Sequence, residues 1–254
     1  MQRVIPSCSR MSMLYPSPCT RCSSCDLKRY CLPSCTDLTL STALDAMIDR
    51  RISLAPGDVI FQAGERLHFL YKVKRGAVSS RITTSHGTEM IVAFHMPSEL
   101  FGVDGVNVRK YGTTAQAITD SEICLIPYED AVKLMSSSPE FQGWMMRSFS
   151  DAILREHQLI TAIGQLRAEE RFARFLIDLA SRMQKANSAN RIITLPMSRG
   201  DICLHLGMRI ETLSRVLTSL VRERVLIIKK RVIEIIDPEG LQRIASLELG
   251  TRLY

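Results

Sequence analysis

The chain has 254 residues, enough for one large domain or two modest ones, and 46% of them are apolar, which excludes a disordered polymer. No run approaches the roughly 20 apolar residues that span a bilayer, and the start, broken by Pro and Ser, does not read as a secretory signal; the expectation is a cytosolic protein with no membrane partner. The formal charge of +7 is unevenly placed: residues 170–236 hold 13 Lys and Arg against 6 Asp and Glu, which leaves the remainder neutral. A compact segment carrying all the excess positive charge suits a polyanion such as DNA.

Residues 1–35 read as an arm rich in Cys, Ser and Pro with little apolar period. It carries Cys8, Cys19, Cys22, Cys25, Cys31 and Cys35; only Cys124 and Cys203 lie elsewhere. In a reducing compartment such a cluster points to metal binding or redox chemistry rather than structural disulfides. Cys203, within an apolar helical stretch, reads as a buried small residue.

Residues 36–137 are expected to form a β-roll. ISLAPGDVIFQAGE, LYKVKRGAVSSRITTSHGTEMIVAFHMPSE and AQAITDSEICLIPYED alternate apolar and polar residues, punctuated by Pro56-Gly57, Gly64, Gly76, Gly87, Pro97 and Gly102. Residues 138–168 then show a helical period without an internal Pro. With Met146 at heptad position a, Ile153 and Ile160 follow at a, and Phe149, Glu156 and Ile163 fall at d. Such a seam predicts a dimerisation helix, the alternative being packing against the β-roll.

Residues 169–254 read as a winged helix-turn-helix, giving an α+β chain overall. Phe172, Phe175, Leu176 and Leu179 mark one amphipathic helix. Ser198 and Asp201 form a capping pair for the next, with Asp in place of the usual Glu or Gln. Gly207 marks the turn, and Leu213, Val216 and Leu217 bury the second helix of the motif. The polar residues left on it are Arg209, Glu211, Thr212, Ser214 and Arg215. Arg215 can donate twice to guanine, Glu211 can accept from the cytosine amine, and Ser214 can reach a base edge or a phosphate. The plainer alternative is a surface ion pair between Glu211 and Arg215.

GDICLHLGMRIETLSRVLTSLVRERVL, with its E-x-x-S-R pattern, resembles the winged helix of the CRP–FNR family of bacterial regulators. With the β-roll and long helix in the same order, the resemblance covers nearly the whole chain from residue 22 onward. It implies that Glu211, Ser214 and Arg215 read TTGAT-like half-sites arranged as an inverted repeat in double-stranded DNA. It makes the strand pair near 226–236 the wing, with Lys229, Lys230 and Arg231 on phosphates. Cys22-x2-Cys25-x5-Cys31 matches the spacing of the FNR branch, and EICLIPYED matches the region of its fourth ligand, here Cys124.

The resemblance therefore implies a 4Fe-4S cluster on Cys22, Cys25, Cys31 and Cys124. Cys19 remains an alternative to Cys31, because Cys19-x2-Cys22-x2-Cys25 is itself a ferredoxin-like run. Four thiolates also suit structural zinc. His68, His86 and His95 are candidate haem ligands, though a lone His is more often structural. A nucleotide effector is not expected: Tyr111 and Gly112 stand where the family's phosphate-binding Arg would fall, although Glu99, Arg109 and Lys110 are close by.

The family behaviour is a homodimer that separates when the signal is lost. Glu156 fits such a marginal interface, since a carboxylate against its copy costs several kcal/mol. The loop Ser85, His86, Gly87 and Thr88 corresponds to a surface for RNA polymerase. A rival of another class is an iron–sulfur electron carrier, which leaves the basic helix-turn-helix without purpose. An enzyme is not expected, since the chain has no phosphate-binding Gly loop and no nucleophile motif.

Overall fold

The computed structural model describes residues 22, 25, 27, 38–48, 50–184 and 191–245. The chain divides into two compact units, the change falling between Leu154 and Arg155.

In the first unit, helix α1 (Leu38–Met47) precedes eight strands: β1 (Arg51–Leu54), β2 (Val59–Phe61), β3 (Phe69–Arg75), β4 (Val78–Thr83), β5 (Glu89–His95), β6 (Leu100–Phe101), β7 (Thr114–Ala117) and β8 (Ser121–Pro127). They form two four-stranded sheets, ordered β1-β8-β3-β6 and β2-β7-β4-β5. The pairings are antiparallel throughout. This is the expected β-roll.

Strand β3 shows how the sequence builds two cores from one strand. Alternation sends Phe69, Tyr71 and Val73 to one face and Leu70 and Lys72 to the other, and all five are buried. On the first face the Tyr71 ring lies 5.2 Å from Phe61 and 5.3 Å from Phe101, so aromatic rings fill the space between the sheets. On the second, Lys72 Nζ sits 4.3 Å from the centroid of Trp144, which belongs to a helix covering that face.

That helix is α3 (Pro139–Gln165), preceded by α2 (Tyr128–Ser137). Helix α2 falls at the end of the segment read as strands. Its start follows from Glu129 and Asp130 in the first turn, where carboxylates favour the exposed N–H groups. Phe141, Trp144 and Met145 bury the first turns of α3 in the same core as Leu44, Leu70 and Ile126.

The second unit contains the remainder of α3, then α4 (Ala168–Gln184), β9 (Ile192–Thr194), α5 (Arg199–Leu206), α6 (Ile210–Arg222), β10 (Leu226–Lys229), β11 (Val232–Ile235) and α7 (Pro238–Ile244). The strands form an antiparallel sheet in the order β10-β11-β9. Helices α5 and α6 with this sheet make the expected winged helix-turn-helix; β9 and α7 extend it. The third strand is legible only through its pairing, Ile193 opposite Ile233, both buried.

Between β3 and β4 the chain turns at Gly76 with φ of 85°. A Cβ there would strike the Ser121 hydroxyl and the Asp120 carbonyl. Gly76→Ala should therefore lower stability by about 2 kcal/mol or more, read as a reduced urea midpoint.

Candidate nucleic-acid interface and cysteine site

Helix α5 begins with a complete capping box. Ser198 Oγ accepts from Asp201 N at 3.0 Å, and Asp201 Oδ2 accepts from Ser198 N at 2.9 Å. Aspartate thus does what Glu or Gln usually does in this motif. The helix stops at Gly207, whose φ of 59° lies in the left-handed region that glycine reaches without strain. Arg171 of α4 reinforces this end: its Nη1 donates to the Leu206 carbonyl at 2.8 Å and more loosely to that of Gly207 at 3.4 Å. A cation on the free carbonyls of a helix C-terminus is favourable both as a hydrogen bond and against the helix dipole.

Helix α6 follows immediately, with Arg209 as its N-cap. Leu213, Val216, Leu217 and Leu220 bury one side. Glu211, Ser214 and Arg215 are exposed on the other, as is Arg209, while Thr212 is half-buried. Arg215 Nε donates to the main-chain oxygen of Glu211 at 3.4 Å. Among the described residues no ion pair joins the two side chains, so both polar ends stay available for an outside partner.

The wing is the hairpin of β10 and β11, with Lys229 opposite Val232 and only Lys230 and Arg231 in the loop. Lys229, Lys230 and Arg231 are all exposed. Lys230 has φ of 57°, a conformation that costs a non-glycine residue about 1 kcal/mol or more. Cys203 is buried in α5, and burial, with a smaller push from Glu211, raises its thiol pKa.

In the first unit, Cys124 lies on β8 directly across from Arg51 of β1. Cys22 and Cys124 are buried and belong to one core cluster, while Cys25 is half-buried. A turn joins the two arm cysteines, Cys25 N donating to the Cys22 carbonyl at 3.2 Å. Arg51 is the common neighbour. Burial opposes its charged form, yet the sulfurs of Cys124, Cys22 and Cys25 and the Glu122 carboxylate outweigh it and hold its pKa above the ordinary value. Among the described residues no three His, Cys, Asp or Glu side chains are drawn together as a ligand set. Cys8, Cys19, Cys31 and Cys35 lie outside the described residues. The described thiols that a thiolate-held centre would draw on are Cys22 and Cys124, buried in one core cluster, and Cys25, bonded to Cys22 through its main chain.

The Crp-like helix-turn-helix domain matches residues 170–244, and the cyclic nucleotide-binding domain matches residues 51–138. The fumarate and nitrate reduction regulatory protein of Vibrio cholerae is 32% identical over 226 residues, covering 89% of this chain and 90% of that protein. The transcriptional activator protein FnrA of Stutzerimonas stutzeri is 33% identical, covering 89% of this chain and 92% of that one. The solved structure of FixK2 from Bradyrhizobium japonicum superposes with a TM-score of 0.70 at 26% identity, covering 77% of this chain and 96% of that one. The chain belongs to the CRP–FNR family of transcription regulators. It is a DNA-binding regulator and not an enzyme.

Other CRP–FNR features take definite places in this chain. Tyr111 stacks on Phe61 with ring centroids 3.8 Å apart, and its hydroxyl donates to the Phe69 carbonyl at 2.8 Å. Burial pushes its phenol pKa up. Glu99 accepts from Met96 N at 3.0 Å, and Arg109 pairs with Glu129 at 2.8 Å. Tyr111, Glu99 and Arg109, which stand at or near the place of the family's phosphate-binding Arg, each make a contact within the chain. His95 Nε2 lies 2.8 Å from Ser80 Oγ, whereas His68 and His86 are exposed.

On α3 the three a residues stand bare, with Met146 48%, Ile153 52% and Ile160 68% exposed. Glu156 is exposed beside them. The apolar d residues turn toward their own units: Phe149 packs on the β-roll core, and Ile163 lies against Gly207.

Two substitutions test the interface. Arg215→Ala should weaken binding to a specific duplex by about 1–3 kcal/mol and relax preference at one base position, measured by titration across single-base variants. Lys230→Gly should instead relieve backbone strain and raise thermal stability. It should weaken binding evenly across sequences and reduce the log-salt slope by about one.

Proposed function

We propose that this chain is a cytosolic, oxygen-responsive activator that dimerises on TTGAT-like inverted repeats while it holds a 4Fe-4S cluster. The observation that supports the sensor is that Cys22 and Cys124 lie buried in one core cluster, with Cys25 bonded to Cys22 through its main-chain N–H. With Cys31, or Cys19 in its stead, these residues would hold the cluster, which when bound supplies an oxygen-sensitive redox centre. Zinc would use the same thiols and give no response to oxygen.

The rest follows from the chain's own residues. Cys124 is fixed in the middle of a sheet, so a bond from it and from Cys22 and Cys25 to one centre ties the arm to the β-roll. The bare residues of α3, Met146, Ile153 and Ile160, offer a second copy an apolar stripe, with Glu156 opposing its own copy. Two α6 helices then enter successive major grooves about one turn apart, where Glu211, Ser214 and Arg215 read bases with Arg209 and Thr212 at the edge. Lys229, Lys230 and Arg231 hold the adjoining phosphates. The exposed loop Ser85–Thr88 would meet RNA polymerase.

Purification without oxygen should yield about four irons and four sulfides per chain. Binding to an inverted-repeat duplex should then collapse on admitting air. Zinc or no metal, with binding indifferent to air, removes the oxygen sensor and leaves a DNA-binding regulator. Glu156→Ala should keep the protein dimeric and DNA-bound in air; a monomeric, air-inactive variant would overturn the role given to Glu156.

A further inference from the structure

A cavity of about 250 Å³ opens between the three-stranded sheet and the helices of the second unit. Its apolar walls come from Phe172 of α4, Met197, Ile202 of α5, Leu213 of α6, and Ile228 and Ile233 of the sheet. Ile228 is half-buried and the other five are buried. The main chain pins one wall, since Leu195 N donates to the Arg231 carbonyl at 2.8 Å where β9 meets the wing loop. An apolar cavity of roughly 150 Å³ already holds a benzene ring, so this one takes an apolar group of that size or somewhat larger.

The mouth has the opposite character. Arg199, Lys230 and Arg231 line it, all exposed, and no Asp or Glu does. Among the described residues none of the three joins an ion pair. Ser198, also at the mouth, is already committed: its hydroxyl donates to Asp201 Oδ2 at 2.7 Å and accepts from Asp201 N at 3.0 Å. A guest's polar end is therefore met by cations, which donate and cannot accept. Apolar walls beneath a cationic mouth complement a molecule with an apolar body and one negative end. A neutral guest leaves the cations unanswered, a cationic one is repelled, and a small bare anion leaves the walls unfilled.

We propose that this cavity binds a small amphipathic carboxylate, with its apolar body between the sheet and helices α5 and α6 and its head on Arg199, Lys230 and Arg231. The site lies wholly within the second unit and needs neither a metal nor the cysteine arm. One consequence rests on the phosphate contacts proposed above: a carboxylate on Lys230 and Arg231 occupies cations that DNA phosphates would otherwise use. Occupancy and duplex binding then oppose each other, each weakening the other by the same factor.

Octanoate is the probe, with octanol, octylammonium and acetate as its neutral, cationic and tail-less counterparts. The full chain, prepared under nitrogen with isotope-labelled isoleucine methyl groups, would be titrated with each and followed by NMR. Octanoate should shift Ile202, Ile228 and Ile233 together along one saturable curve, with a Kd of about 1 mM or tighter. Octanol and octylammonium should bind at least about fivefold more weakly, the scale of charge contacts at an exposed mouth. Acetate should leave these methyls unmoved. Methyls that ignore octanoate, or follow octanol equally well, overturn the site. So do shifts confined to Ile91, Ile123 and Ile126 of the β-roll.

Ile228→Trp, which fills the cavity with a ring, should abolish the octanoate shifts of Ile202 and Ile233. Arg199→Gln should weaken octanoate about threefold while leaving octanol unchanged. If the Trp variant does not fold, Arg199→Gln and the probe series decide. The effect on DNA is read separately. Saturating octanoate, against acetate at equal ionic strength, should weaken binding to the inverted-repeat duplex at least about threefold. Octanoate that binds without weakening the duplex overturns the competition and leaves the cavity site. A chain that takes octanoate on these isoleucines but binds no duplex sinks the phosphate reading and still supports the site.

Discussion

Strand β8 is held in the middle of its sheet by β1 on one side and β3 on the other, and the first unit depends on that register. With Cys124 opposite both Arg51 and Lys72, Ile123 falls opposite Ile52 and Val73. The side-chain period of a strand is two, so a slip of one residue would turn Cys124 toward the aromatic core and bring Ile123 between Arg51 and Lys72. Gly76 guards this register from one end. Its turn presses the start of β4 against Ser121, the first residue of β8, leaving no room for a Cβ.

The second unit solves a different problem, that of presenting a polar helix face without loosening the helix behind it. Four buried side chains of α6 fix its rotation, and the break before it is made sharp by Gly207 and held by Arg171. Ile163 near the end of α3 rests on that same glycine. A side chain at position 207 would strain the backbone, whose φ is 59°, while its Cβ would only touch Ile163 at 3.6 Å. The turn is thus a place in this unit where the long helix, α4 and the reading element meet.

Much of this was open to reading along the chain. The E-x-x-S-R pattern on an amphipathic helix after a capped helix and a glycine left little freedom for α5 and α6. Alternation between glycines and prolines gave the β-roll. Strand β9 and helix α7 were hidden because Ile192–Thr194 is three residues long and gains its meaning only opposite β11. Helix α2 was hidden because Ile126 to Glu129 continues a strand-like pattern until its first-turn carboxylates take over. Arg51 and Lys72 are the instructive omissions. Arg51 follows Asp49 and Arg50, Lys72 lies in an apolar run, and each reads locally as the polar tooth of a half-exposed strand. What makes them neighbours of Cys124 is pairing across some 50–70 positions of sequence, which local periodicity does not encode. The one clue is Lys72 within FLYKV, a cation inside a run that is otherwise apolar.

In the proposed dimer, the balance on α3 would let a small change act on the whole reader. Burying the remaining surface of a half-exposed Met or Ile contributes on the order of 1 kcal/mol per side chain. Met146, Ile153 and Ile160 from two copies therefore contribute several kcal/mol. Association of two chains costs an amount of similar size in lost translational and rotational freedom, and Glu156 carboxylates facing each other in the proposed dimer would add to the cost. An interface poised near zero responds to small changes at its root. The buried turns of α3 hold Trp144 over Lys72, and Lys72 lies beside Cys124. In the proposed sensor, a change of charge at that sulfur would act on the ammonium that Trp144 covers, and one or two kcal/mol would shift the dimerisation constant by about 5–30-fold.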